Sequence, residues 1–198
     1  MKPLGLSPGR APPMRNEGMQ QEAVVRPSIT FRLPTDADFP VLAEIRRDPH
    51  MQAMLMAIPD RTDDAAVRQW IERRVSEPNG LFRVICETQA QEALGFIQIS
   101  QVNTRDLHGY GAVALSRRCT FPGAALLAMR ELMRAARADL GLRKLMAEIR
   151  SDNVDAIRMN ELCGYKVVGT LESHFADADN KRHDVLLLQR VLVSQRTN

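Results

Sequence analysis

The sequence predicts an α+β (α/β/α) fold: one mixed, mostly antiparallel central sheet with helices on both faces. Two observations predict it. Segments of strand character come first, a strand–helix–strand–helix block follows, and two long strands around a short polar turn close the chain. With 44% hydrophobic and 26% charged residues, the 198-residue chain also has a globular composition and enough length for one domain with a proper core.

Composition excludes several function classes. A formal net charge of +3 is too small to point to nucleic acid. Cys86, Cys119 and Cys163 are odd in number and lack metal-ligand spacing, which fits a reduced, cytoplasmic protein with no bound metal. No apolar run reaches transmembrane length and no signal-peptide core follows Met1, so no membrane partner is expected. Residues 1–28 hold prolines at 3, 8, 12, 13 and 27 with almost no apolar periodicity, and read as a flexible leader. The domain is placed at 29–193, with a tail at 194–198.

Ile29 to Leu33 alternates like a first strand. The cluster Thr35 to Asp38 then caps a helix whose apolar side is Phe39, Leu42 and Ile45 and which ends near Pro49. A short helix is read over Gln52 to Met56. Another opens at Thr62, with Val67, Trp70, Ile71 and Val75 as its buried side. The Met-rich run His50 to Ile58 has two readings, a substrate mouth or adaptable core filling. Leu81 to Glu87, Ala93 to Val102 and His108 to Leu115 read as strands.

The block from Ser116 to Tyr165 organises the rest. Its helix, read from Phe121 to Asp139, carries Ala125, Met129, Leu132, Ala136 and Leu140 as one apolar stripe. Leu127, Arg130, Arg134 and Arg137 fall on the solvated side. Pro122 suits a first helical turn, and Gly141 ends the helix. Lys144 to Arg150 follows as a strand, then Asp152 and Asn153 as N-caps of a helix stopped by Gly164. Tyr165 to Phe175 and Arg182 to Val193 form the closing pair of strands. A helix N-terminus after a tight turn presents free N–H groups and a partial positive charge to phosphates.

This block resembles the GNAT superfamily of acyl-CoA-dependent N-acyltransferases, and the order of elements from about residue 29 to 193 matches that fold. The phosphate-loop signature falls on Arg118, Cys119, Thr120, Phe121, Pro122, Gly123, Ala124 and Ala125. The second half falls on Asn153, Ala156, Gly164 and Tyr165, after a strand ending Glu-Ile-Arg. Glu172, His174 and Asp184 are most similar to the branch that acetylates protein N-termini or amino sugars.

The resemblance implies acetyl-CoA as co-substrate and no metal. Its diphosphate is expected over Arg118, Cys119, Thr120, Phe121, Gly123 and Ala124, with Asn153 and Asn160 also at the cofactor. It further implies an oxyanion donor from the backbone of Val113 to Leu115, and two neighbouring strands splayed apart to pair with pantetheine. The partner is a small-molecule or peptide amine, with a homodimer left open.

Amine acetylation needs a group to take the ammonium proton. Glu148 is the candidate base, five residues before Asn153. Its other reading is a glutamate paired with Arg150 or Lys144. His174 is a second candidate, and Asp184 either binds a substrate ammonium or pairs with Arg182.

Two departures from the family stand out. Phe121 and Pro122 occupy the first part of the glycine loop and remove one amide donor, which Arg117 or Arg118 is placed to replace. Asn160 stands where many members carry a tyrosine that protonates the departing thiolate. The expected function is an N-acetyltransferase working by direct transfer in a ternary complex. The alternative is a catalytically poor CoA-binding or interaction module of the same fold.

Overall fold

The structure, a computed structural model, describes residues 28–192. The predicted leader, Ser28 apart, and the predicted tail lie outside the described residues. In chain order the elements are β1 (Ile29–Arg32), α1 (Phe39–Arg47), α2 (Pro49–Met54), α3 (Asp64–Val75), β2 (Leu81–Glu87) and β3 (Ala93–Asn103). They continue with β4 (His108–Leu115), α4 (Ala124–Ala138), β5 (Lys144–Arg150), α5 (Val154–Leu162), β6 (Lys166–Ala176) and β7 (Arg182–Val191).

The strands form one sheet in the order β1-β2-β3-β4-β5-β7-β6. Only β4 and β5 run parallel; the other neighbours are antiparallel. Period-two alternation sorts the strand side chains onto two faces, each with its own core. One core joins Ile97 and Ile99 of β3, Leu145, Ala147 and Ile149 of β5 and Leu188 of β7 to Met129, Leu132 and Ala136 of α4. The other joins Phe82, Phe96 and Ala114 to Leu42 and Ile45 of α1 and Val67 and Trp70 of α3. Trp70 meets Phe82 and Phe96 edge-on at 5.7 and 5.6 Å between ring centroids. Helices therefore cover both faces, as the sequence predicts.

Three helix starts differ from the sequence reading, each for a local reason. Helix α2 starts at Pro49, three residues before Gln52. Asp48, extended as residues before proline are, ends α1 and caps α2 by accepting from the Met51 N–H at 3.1 Å. Helix α3 has Asp63 as its cap, and Val75 in its last turn is exposed rather than buried. Helix α4 begins at Ala124, because Gly123 holds φ +77°, a left-handed conformation that cannot continue into a right-handed helix. Pro122 thus lies in the turn before the helix, not in its first turn.

Candidate active site

The parallel pair β4 and β5 is registered over only three positions, His108 to Lys144, Gly109 to Leu145 and Tyr110 to Met146. Beyond Tyr110 the two strands part, while β4 stays paired to β3 and β5 to β7. The backbone directions in this gap follow from alternation. The Ser116 N–H bonds to the Leu94 carbonyl of the β3 side at 2.8 Å, so Ala114 and Ala112 face β3 as well. Val113 and Leu115 then turn their N–H groups into the gap, where no strand meets them. On the far side the Ser151 N–H bonds to the Asp184 carbonyl at 2.9 Å, so the backbone groups of Glu148 turn toward β4 and also lack a strand partner.

A cavity of about 350 Å³ fills this gap. Its walls come from both faces of the sheet. Met129 and Leu132 of α4 and Ala156 and Met159 of α5 stand on one side, and Met51, Met54 and Leu55 on the other. Leu145, Ala147 and Ile149 belong to the α4 core, so Glu148 projects on the opposite face, the face that carries α1 to α3.

Glu148 is exposed in the cavity and has no hydrogen-bond or ion-pair partner among the described residues. Arg150, which the sequence offered as its partner, is occupied elsewhere. It bonds Asp152 at 2.6 Å and the His183 Nδ1 at 3.1 Å. The bond to Asp152 depresses that carboxyl below the usual range. Asn160 is buried, and its amide nitrogen donates to the Ala156 carbonyl at 2.9 Å. One amide N–H and the amide oxygen therefore remain for a ligand, able to donate and accept hydrogen bonds but not to give up a proton as an acid. Asn153 caps α5, its Oδ1 accepting from the Ala156 N–H at 3.3 Å.

At the mouth the chain from Ser116 leads to α4. Gly123 offers no side-chain cap, and the N–H groups of Ala125 and Leu126 have no partner among the described residues. Such a helix end carries a partial positive charge and unspent donors, the arrangement that binds phosphates. The two arginines of the loop are already held. Arg118 Nε lies 3.0 Å from Glu44 Oε2, and Arg117 Nε lies 2.7 Å from Asp48 Oδ2. Ser116 braces the first pair, its hydroxyl donating to Glu44 at 3.0 Å and accepting from the Arg118 N–H at 3.1 Å.

The structure thus brings Val113, Leu115, Glu148, Asn153 and Asn160 into one cavity. Arg118, Cys119 and Thr120 line a neighbouring cavity of about 320 Å³ beside α1, and Phe121, Gly123 and Ala124 form the turn into α4. His174 is exposed on the edge strand β6 and lines neither cavity. Asp184 accepts from the Ser173 N–H at 2.7 Å instead of pairing with Arg182. Tyr165 is an addition: 4% exposed, it lines the cavity, and burial pushes its phenol upward so that it stays protonated. Its place in the signature was readable, its place in the wall was not.

Residues 28–166 match the family model described as an acetyltransferase (GNAT) domain, about seven-tenths of the chain. The chain belongs to the GNAT acetyltransferase family. The solved structures agree in fold. A spermidine N-acetyltransferase from Vibrio cholerae, in complex with CoA and spermine, superposes with a TM-score of 0.75 at 13% identity, covering 83% of this chain and 95% of that one. The spermidine/spermine N-acetyltransferase from the same organism with manganese ions gives 0.68 at 13% identity, over 83% and 92%. Mutant forms of the Vibrio cholerae spermidine/spermine enzyme give 0.71 at 13%, over 83% and 94%. No curated protein matches the chain.

As a GNAT acetyltransferase the protein is an N-acetyltransferase with acetyl-CoA as co-substrate, and the parted strands fit that group. The unmet backbone edges of Val113, Leu115 and Glu148 suit the amides of a pantetheine arm, and the α4 turn suits its diphosphate. No helix among the described residues is long and apolar enough to cross a membrane.

Proposed function

We propose that the protein acetylates a primary amine by direct transfer in a ternary complex, with Glu148 as the general base. One observation carries this reading: Glu148 is a carboxylate with no partner among the described residues, in the cavity between the parted strands. Acetyl-CoA supplies the activated acyl group as a thioester. Glu148 takes a proton from the acceptor ammonium, directly or through one water, which frees the nitrogen lone pair to attack the thioester carbonyl carbon. The N–H groups of Val113 and Leu115 face the place where the negative oxygen develops. When the carbon–sulfur bond breaks, sulfur leaves as thiolate, the second proton that the former amine nitrogen sheds passes through water to that thiolate or to solvent, and Glu148 returns its own proton to solvent. The remaining Asn160 amide N–H can hydrogen-bond the sulfur but is no acid, and a thiol with a pKa of about 8.5 leaves without one. The diphosphate is held over the turn from Arg118 to Ala124.

The test is Glu148→Gln, which keeps shape and hydrogen bonding but cannot take a proton at neutral pH. Turnover falls by about 10²–10⁴-fold while CoA affinity is unchanged, and raising the pH restores part of the rate as more amine arrives neutral. Normal turnover at saturating amine would remove Glu148 from the mechanism.

A further inference from the structure

The acceptor side of the cavity has a composition of its own. Met51, Met54 and Leu55 of the α2 segment line it on the face where Glu148 projects. All three are only partly buried, so apolar surface stays open to a ligand. Methionine is unbranched and polarizable, and such a wall adapts to apolar shapes.

Charge lining this side is scarce for a polycation. Glu148 and Asp155 are the only carboxylates lining the cavity among the described residues. Asp155 comes from the first turn of α5. That helix, with Ala156, Ile157 and Met159 packed on the α4 core, lies on the other face of the sheet. Two acids beside α2 are already engaged, Asp48 by the Met51 N–H and Arg117, and Glu44 by Ser116 and Arg118, while Asp60 lies close enough to Arg46 to act on its charge. Behind α2 stands a cation. Arg46 donates to the Gln52 Oε1 at 2.6 Å and to the Ala57 carbonyl at 2.9 Å, with its guanidinium 5.3 Å from the Trp70 ring centroid. Among the described residues it has no carboxylate in ion-pair contact.

Resting on the reading of this cavity as the acetyl-transfer site, we propose that the acceptor is a primary amine carried on an apolar, otherwise uncharged body, selected by Met51, Met54 and Leu55. Its one ammonium meets Glu148, and its apolar part lies along α2. A second ammonium on the same molecule would face methionines, with Glu148 the only carboxylate lining that side among the described residues. A sugar would leave its hydroxyls without partners there.

The full-length protein with acetyl-CoA is tested on propyl-, butyl-, pentyl- and hexylamine, with spermidine and glucosamine alongside, following released thiol. Because each buried methylene is worth about fourfold, kcat/KM climbs by about that factor per carbon until the wall is filled. Spermidine falls below butylamine. Met54→Ala flattens the climb, and Met54→Glu raises spermidine relative to hexylamine by at least about tenfold. Thermal unfolding and CoA titration confirm that each variant is folded, and the unmodified protein alone decides the matter if either is not. A flat alkylamine series, or spermidine or glucosamine above hexylamine, overturns the acceptor assignment and leaves acetyl transfer standing. Failure to bind acetyl-CoA in calorimetry, or CoA binding with no amine acetylated, overturns the acetyl-transfer reading itself.

Discussion

Arg117 of the phosphate loop and Asp48 at the start of α2 are joined by an ion pair, Nε to Oδ2, of 2.7 Å. The same carboxylate caps α2, so one side chain ties the loop before α4 to the helix that walls the cavity between β4 and β5. Asp48→Asn separates the two roles, since asparagine caps as well as aspartate but carries no charge. Stability should change by less than about 0.5 kcal/mol, because Arg117 is largely exposed and such pairs are weak. CoA should bind roughly two- to fivefold tighter at low salt, with Arg117 released to the phosphates, and the gain should fade at high salt. Calorimetry at two salt concentrations checks it; weaker binding would mean that the pair positions the loop.

Gly123 is required by its backbone conformation. A Cβ there meets nothing within 4 Å, so the cost of Gly123→Val is the left-handed φ of +77°, about 1–2 kcal/mol. If the loop relaxes to avoid that strain, its N–H groups turn away from the phosphates. CoA affinity should drop at least about tenfold, with a fall in melting temperature of a few degrees. Unchanged affinity would place the diphosphate elsewhere.

Gly164 combines two constraints. Its φ is +79°, and a Cβ would lie 2.2 Å from Arg190 Nη1, which donates to the Gly164 carbonyl at 3.1 Å. Gly164→Ala should cost about 2 kcal/mol, roughly half from strain and half from the displaced hydrogen bond. In an Arg190→Ala background the same change should cost only about half as much, measured by denaturant titration of the four proteins. Full additivity would show that Arg190 yields freely.

The corner between β5 and the β6–β7 turn depends on two carboxylates. Arg150 holds Asp152 below its usual range, and His183, 2.7 Å from Asp177, does the same there. A folded-state value below the unfolded one stabilises at higher pH, and that contribution disappears as pH falls through the folded value. Both contributions are therefore complete above about pH 4 and are lost below it. Amide protection factors in residues 177–183 should fall between about pH 4 and pH 2, and Asp152→Asn should flatten the pH dependence of stability in that window. A variant with an unchanged acid profile would exclude Asp152 as the sensor.

The order of elements, the α4 stripe, the Asn153 cap and the two half-signatures were all legible in the sequence. They depend on local periodicity and turn chemistry, which neighbours within a few residues decide. The left-handed Gly123 and the capping Asp48 were not read from the sequence, and the starts of α4 and α2 were each misplaced by a few residues. Tertiary structure alone decided the rest. It parted β4 from β5 after Tyr110, and so left the Val113, Leu115 and Glu148 backbones unmet. It also took Arg150 away from Glu148 by offering Asp152 and His183, and brought Met51, Met54 and Leu55 onto the face where Glu148 projects. Asp152 is only two residues from Arg150, but His183, the parted strands and the α2 wall are choices among partners distant in the chain, set by which pairings the packed sheet can satisfy together, and no window of sequence contains that competition.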